Sequence, residues 1–275
     1  MDSLKICHRQ VIALQRATLL ETGDATVGSS LTALGVVSTP RFDSFLQDAE
    51  KVLQSTIEFN TMENCTVKVL GDVLGCSNPA SINPLKVYTN VTLMHKARFS
   101  EGSIETVSAH EVLHKWLIAE SFPCTATSPT LAGSERSKLA GRLHGAIHHI
   151  SIDKRLAEYG FAVSDVNAWQ AKTLIERLKW GDLHYCSPGQ ERFISETLFY
   201  IEAGNRYGRD AFRTIKDIFY PEIPLLVYTG NRCLQIIKET DCTTPPGALE
   251  ALTKVRDELG LQDQRVYDPI TKRYV

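Results

Sequence analysis

Between Phe42 and Phe59 apolar side chains recur at three- and four-residue intervals, at Phe42, Phe45, Leu46, Ala49, Val52, Leu53 and Ile57. That spacing predicts a helix laying one face on a core. Residues 1–60 as a whole read as helical support, interrupted by a Gly/Ser/Thr-rich connection from Gly23 to Pro40. The pattern then changes. Short β-branched runs at Thr66–Leu70, Lys86–Thr89 and Val91–Met94, with turn residues such as Gly75–Pro79 between them, predict a small sheet. Helical spacing returns over Ser103–Ser121, with Ser103 or Thr106 as the cap and Pro123 as the stop. A loop from Phe122 to Ser137 leads to a second long helix over Leu139–Tyr159. Further helices are expected over Val166–Trp180, residues 190–206 and 209–219, and Gly247–Leu259. The Pro221 to Pro224 stretch ends the 190–206 and 209–219 segments, a short apolar run follows at Leu225–Tyr228, and Arg265–Val275 reads as polar and irregular. The expected class is α+β, mainly helical.

Composition narrows the function classes. A chain of 275 residues with 43% hydrophobic content can bury a full core, and 30 basic against 32 acidic residues give a net charge of −2. With no long block of one sign, a nucleic-acid partner is not expected. The start, Met1–Gln10, is broken by Lys5, His8, Arg9 and Gln10, and no later run approaches the roughly 18 apolar residues of a membrane span, so the expectation is a cytoplasmic protein without a membrane partner. Seven scattered cysteines, none in Cys-x-x-Cys spacing, read as free thiols.

One stretch points to a chemistry. His110-Glu111-Val112-Leu113-His114 is a complete His-Glu-x-x-His pattern. Histidines four apart on a helix share a face and can reach one metal ion, and the Glu between them can take a proton from water held there. With 8 His and 18 Glu in the chain, the pattern is expected by chance roughly 0.015 times. On a helical projection Val107, His110, Leu113, His114 and Leu117 fall on one side, with Ser108, Val112 and Lys115 on or near the other.

A catalytic zinc site takes three protein ligands, so a third must come from elsewhere. Glu120 sits roughly 9 Å along a straight helix from His114 and is discounted. On the second helix the core stripe is Leu139, Leu143, Ala146, Ile147, Ile150 and Ala157. Asp153 borders that stripe, His149 lies one turn before it on the same flank, and His144 and His148 point largely away. Glu196, Glu202 and His184 are more distant candidates that no spacing favours, and Glu196, Tyr200 and Glu202 read as ordinary helix-face residues.

Over residues 85–160 this arrangement resembles the zincin metallopeptidases, with the five-residue motif as the specific part. The resemblance implies Zn2+ as cofactor, His110 and His114 as ligands, Glu111 as general base, and an acidic third ligand from a second helix. Asp153 is the choice, with His149 as the alternative third ligand or as a second-shell or substrate contact. It also implies an upstream sheet whose edge strand pairs with a peptide substrate. Tyr159 is read as core packing, an oxyanion role being the alternative. Residues 1–275 are then expected to form a single metallohydrolase domain: support in 1–60, sheet and motif helix in 61–121, and a helical part in 122–275 carrying the third ligand. The expected activity is hydrolysis of peptide bonds in a protein or peptide substrate. A zinc amidase or deformylase-like hydrolase, and a helical binding module with a vestigial metal site, are the alternatives.

Overall fold

The computed structural model describes residues 31–62, 75–77, 84–127, 134–181 and 187–275. The expected strand at Thr66–Leu70, His184 and everything before Leu31 lie outside them. The fold is α+β and mainly helical, and packing divides the chain into two compact units, residues 1–119 with 154–165 and residues 120–153 with 166–275.

In the first unit, helix α1 (Pro40–Leu53) starts at Thr39, whose side chain accepts from the Phe42 N–H. Its buried face is Phe42, Phe45, Leu46 and Ala49, as the spacing predicts. The helix stops four residues short of Ile57, which with Phe59 belongs to strand β1 (Ile57–Thr61). β1 pairs in parallel with β3 (Leu85–Thr89), and β3 pairs antiparallel with β2 (Gly75–Ser77), so the described order is β1-β3-β2 with β2 at an edge. The turn expected at Gly75–Pro79 therefore begins as a strand.

The strand expected at Val91–Met94 is helical instead: Asn90 accepts from the Leu93 N–H and opens α2 (Val91–Lys96). A capping side chain that satisfies a free N–H outweighs a β-branched preference of a few tenths of a kcal/mol (~0.5). Helix α3 (Glu101–Ala119) carries the motif. Ser103 and Thr106 lie inside it, and Ser100 accepts from the Ser103 N–H in the capping position. α3 packs on α1, β2 and β3.

A buried carboxylate ties α1 to α3. Glu105, 1% exposed, accepts from the Thr39 N–H at 2.6 Å, from the Thr39 hydroxyl at 3.0 Å and from Arg41 Nη2 at 2.8 Å. Three donors on one buried charge make its ionised form tolerable there. Helix α4 (Glu135–Glu158) ends in this unit, with Arg155 over the Trp116 ring at 5.7 Å and Tyr159 against Phe45 at 5.2 Å.

The second unit holds most of α4 and the helices α5 (Val163–Trp180), α6 (Glu191–Arg206), α7 (Arg209–Glu222), α8 (Pro224–Glu239) and α9 (Pro245–Glu258). The apolar run Leu225–Tyr228 is the first turn of α8, with Pro224 at a position that needs no N–H. α6 and α8 approach closely because Gly230 has no side chain: a Cβ there would lie 2.4 Å from the Tyr200 ring. The C-terminal stretch expected to be irregular forms β5 (Gln264–Asp268) and β6 (Arg273–Tyr274), which join β4 (Cys124–Thr127) in an antiparallel sheet of order β4-β5-β6. Val266, within β5, is fully buried. Among the described residues no helix is long and apolar enough to cross a membrane, and no disulfide joins Cys76, Cys124, Cys233 and Cys242.

Candidate metal centre

The motif helix is not half-buried in the way its projection suggests. Between Ser103 and Leu117 every residue is buried except His110, Glu111, His114 and Lys115. Val112 and Ser108, expected on or near the outer side, are both 0% exposed, and the Ser108 hydroxyl meets that of Thr89 in β3 at 2.9 Å. Pairing two hydroxyls removes the cost of burying each alone, so a polar position can be a core position. Solvent therefore reaches this helix mid-length only over the motif and the lysine after it.

Within that opening the His110 and His114 rings lie 4.9 Å apart at 78° to each other. Glu111 stands between them. Burial pushes its pKa up from 4.5 to about 7, against the opposing charge of Lys115 one turn on. Lys115 is itself lowered by burial, with Glu111 and Cys76 of β2 acting the other way. A carboxyl group that ionises near neutral pH can both accept and return a proton there, which is what a general acid–base needs.

On α4, Asp153 is already engaged. Its two oxygens accept from Arg206 Nε at 2.7 Å and Nη2 at 3.1 Å, and Asn167 Nδ2 donates to it at 3.2 Å. Arg206, 3% exposed, also donates through Nη1 to Glu202 at 2.6 Å. Glu202 in turn lies 2.9 Å from His149 Nδ1. Burial raises the Glu202 pKa, but His149 and Arg206 together outweigh it and hold the carboxylate at about 2.

Arg206 Nη1 also approaches His149 Nδ1 at 3.0 Å. One ring nitrogen cannot donate to Glu202 and accept from Arg206 at once. The ionised Glu202 fixes the choice: both donors point their protons at its oxygen, and the approach between them follows from sharing one acceptor. In a neutral ring with Nδ1 protonated, Nε2 is the nitrogen able to coordinate a metal.

Among the described residues the group that could hold a metal ion is His110 and His114, offered by α3 in the first unit, with His149, offered by α4 in the second. Three imidazole nitrogens are a donor set that would suit a zinc ion. Asp153 is outside this group, and His149, the alternative from the sequence, is in it. Glu202, read from the sequence as an ordinary helix-face residue, is the partner of that histidine. Its signal was faint: Glu202 and Arg206, spaced i,i+4 on α6, form a charge pair in which Arg206 is 3% exposed.

The other histidines of α4 do not join the cluster. His148 was expected to point away and is instead fully buried, its Nε2 donating to the Pro123 carbonyl at 2.8 Å and its ring 3.8 Å from that of His144. Tyr159 donates to Asp48 at 2.7 Å and packs on Phe45 and Trp116, a structural placement. Comparison with family models, with curated proteins and with solved structures finds no match to this chain.

Proposed function

We propose that this protein is a zinc-dependent metallopeptidase of the zincin kind, with His110, His114 and His149 as metal ligands and Glu111 as general base. The observation that carries this reading is a set of three imidazoles that could hold a metal ion, two of them flanking a carboxyl group whose pKa is near 7. A donor set of three neutral imidazoles suits zinc and leaves a fourth position open. A zinc ion held there acidifies water and polarises a carbonyl oxygen.

Glu111 takes one proton as the water oxygen bonds to the carbonyl carbon. When the carbon–nitrogen bond breaks, Glu111 hands that proton to the leaving amine, and the second water proton leaves from the new carboxyl group. Lys115, beside Glu111, keeps its pKa from rising further. Glu202 holds the His149 ring in the tautomer a ligand requires, and Arg206 holds Glu202.

A peptide is the favoured substrate because β2, an edge strand in the described order, packs on the motif helix. An extended chain can add to a sheet by strand pairing at such an edge. The purified protein should hold one zinc per chain and cleave an unfolded casein or a mixed peptide set in a chelator-sensitive way. Glu111→Gln should keep the zinc and lose about 100-fold in rate. Absence of stoichiometric metal, or cleavage indifferent to Glu111, would falsify the proposal.

The glycines of α4 supply a finer check. A Cβ at Gly145 would lie 3.3 Å from His149 Cε1, whereas one at Gly141 meets nothing within 4 Å. Gly145→Ala should weaken zinc binding several-fold by tilting the ligand. Gly141→Ala should leave binding alone and raise stability by about 0.5–1 kcal/mol, measured by urea unfolding.

A further inference from the structure

Two turns before His149, α4 and α6 border a cavity of about 430 Å³ whose lining includes Lys138, Arg142, Arg177, Ser195, Glu196 and Phe199. Its chemistry is organised on one aromatic ring. The guanidinium of Arg142 lies over Phe199 at 4.7 Å and that of Arg177 at 4.6 Å. Such stacking holds both planar cations in place without neutralising them.

Their charges are not equally answered. Arg177 is bonded twice to the buried Glu196, at 2.8 and 2.7 Å, and Lys138 pairs with Glu135. Glu191, also on the lining, acts on Arg136. Arg142 has no carboxylate partner among the described residues. Burial lowers its pKa, with Glu196 only partly opposing. A stacked, partly desolvated guanidinium facing a cavity is a preformed seat for an oxyanion, because its fork matches a carboxylate.

Position links this seat to the metal centre. Arg142 and His149 are seven residues apart on one continuous helix, so they share a face and are separated by some 10.5 Å at 1.5 Å per residue. An extended peptide covers that distance in about three residues. We propose that the Arg142 cavity is a carboxylate subsite, which makes the substrates peptides with an acidic group about three residues from the bond cleaved. The inference rests on the peptidase reading of the three histidines. The acidic group is either an Asp or Glu side chain or the C-terminal carboxylate of a short peptide.

The test uses four fluorescently labelled hexapeptides: one ending in the free acid, its amide, an amide with an internal Glu, and the same amide with Gln. Binding is measured by anisotropy on zinc-loaded Glu111→Gln protein, so that no turnover is needed, and cleavage is measured on wild type. Acidic members should bind at least about ten-fold tighter than their neutral counterparts, the worth of one charge-assisted hydrogen bond. Adding Arg142→Gln should bring that ratio close to one, and Arg142→Lys should restore part of it.

The better of the two acidic peptides identifies the source of the carboxylate. Equal binding of acidic and neutral peptides, or an acid preference that survives Arg142→Gln, overturns the subsite. Acid-dependent binding without any cleavage by wild type sinks the peptidase reading while leaving the subsite standing.

Discussion

Changing His149 to Ala is expected to lower zinc affinity by at least about 1000-fold, an order of magnitude beyond what losing an outer-shell partner costs. The reason is that the candidate centre has three protein nitrogens, and His149 is one of them. Glu202→Gln should cost about 10- to 100-fold: the amide oxygen still accepts from His149 Nδ1, but the charge that strengthens that bond is gone. Asp153→Asn should leave affinity within about ten-fold, because both Asp153 oxygens are committed to Arg206. Its cost falls on stability, about 3 kcal/mol, since Arg206 is 3% exposed and would keep only Glu202 as a full counter-charge. Competition with a chromogenic chelator gives the affinities, and urea unfolding of the metal-free proteins gives the stability. The reverse order, with zinc lost in Asp153→Asn and kept in His149→Ala, would return Asp153 to the ligand set.

That ladder also shows where sequence reasoning stops. The motif was legible because its geometry is local: four residues of helix place two imidazoles on one face whatever the rest of the chain does. The face of α1 was legible for the same reason, with one side apolar and the other wet. α3 was not, since it is buried nearly all round, and the hydroxyl of Ser108 is absorbed by Thr89 nineteen residues earlier in the chain. The choice between His149 and Asp153 is less local still. Both lie on one flank of α4, and what separates them is Arg206, 53 residues beyond Asp153, which draws Asp153 into an ion pair and steadies the carboxylate that orients His149. No spacing within α4 encodes that. The C-terminal strands were missed because polar residues dominate Arg265–Val275, and pairing with β4 is a long-range fact.

Metal-free protein should show a stability that hardly changes between pH 4.5 and 6.5, and two single substitutions should tilt it in opposite directions. His148 is fully buried, its Nδ1 has no hydrogen-bond partner, and burial lowers its pKa from 6.5 to about 4. Between those values the unfolded chain takes up a proton that the folded chain refuses. The stability His148 confers is thus complete above pH 6.5 and is lost on acidification toward pH 4, by about 3 kcal/mol.

Glu111 runs the other way. Its folded pKa of about 7 lies above the 4.5 of the unfolded chain, so the folded state holds the extra proton. Its contribution is complete below pH 4.5 and is lost as the pH rises through 7. Because the side chain retains some exposure, we put the size at about 2 kcal/mol. Glu111→Gln removes this second effect: the variant should be about 2 kcal/mol more stable than wild type at pH 8 and should weaken steadily on acidification. His148→Gln removes the first, and its stability should rise on acidification from pH 7.5 to 4.5. In the double variant the slope should flatten again. Urea midpoints at pH 4.5, 6 and 8 in chelator measure all four proteins, and parallel curves for wild type and Glu111→Gln would mean that Glu111 does not titrate near neutrality. A carboxyl group whose removal stabilises the fold while slowing hydrolysis about 100-fold is the expected mark of a base held at a cost for its chemistry.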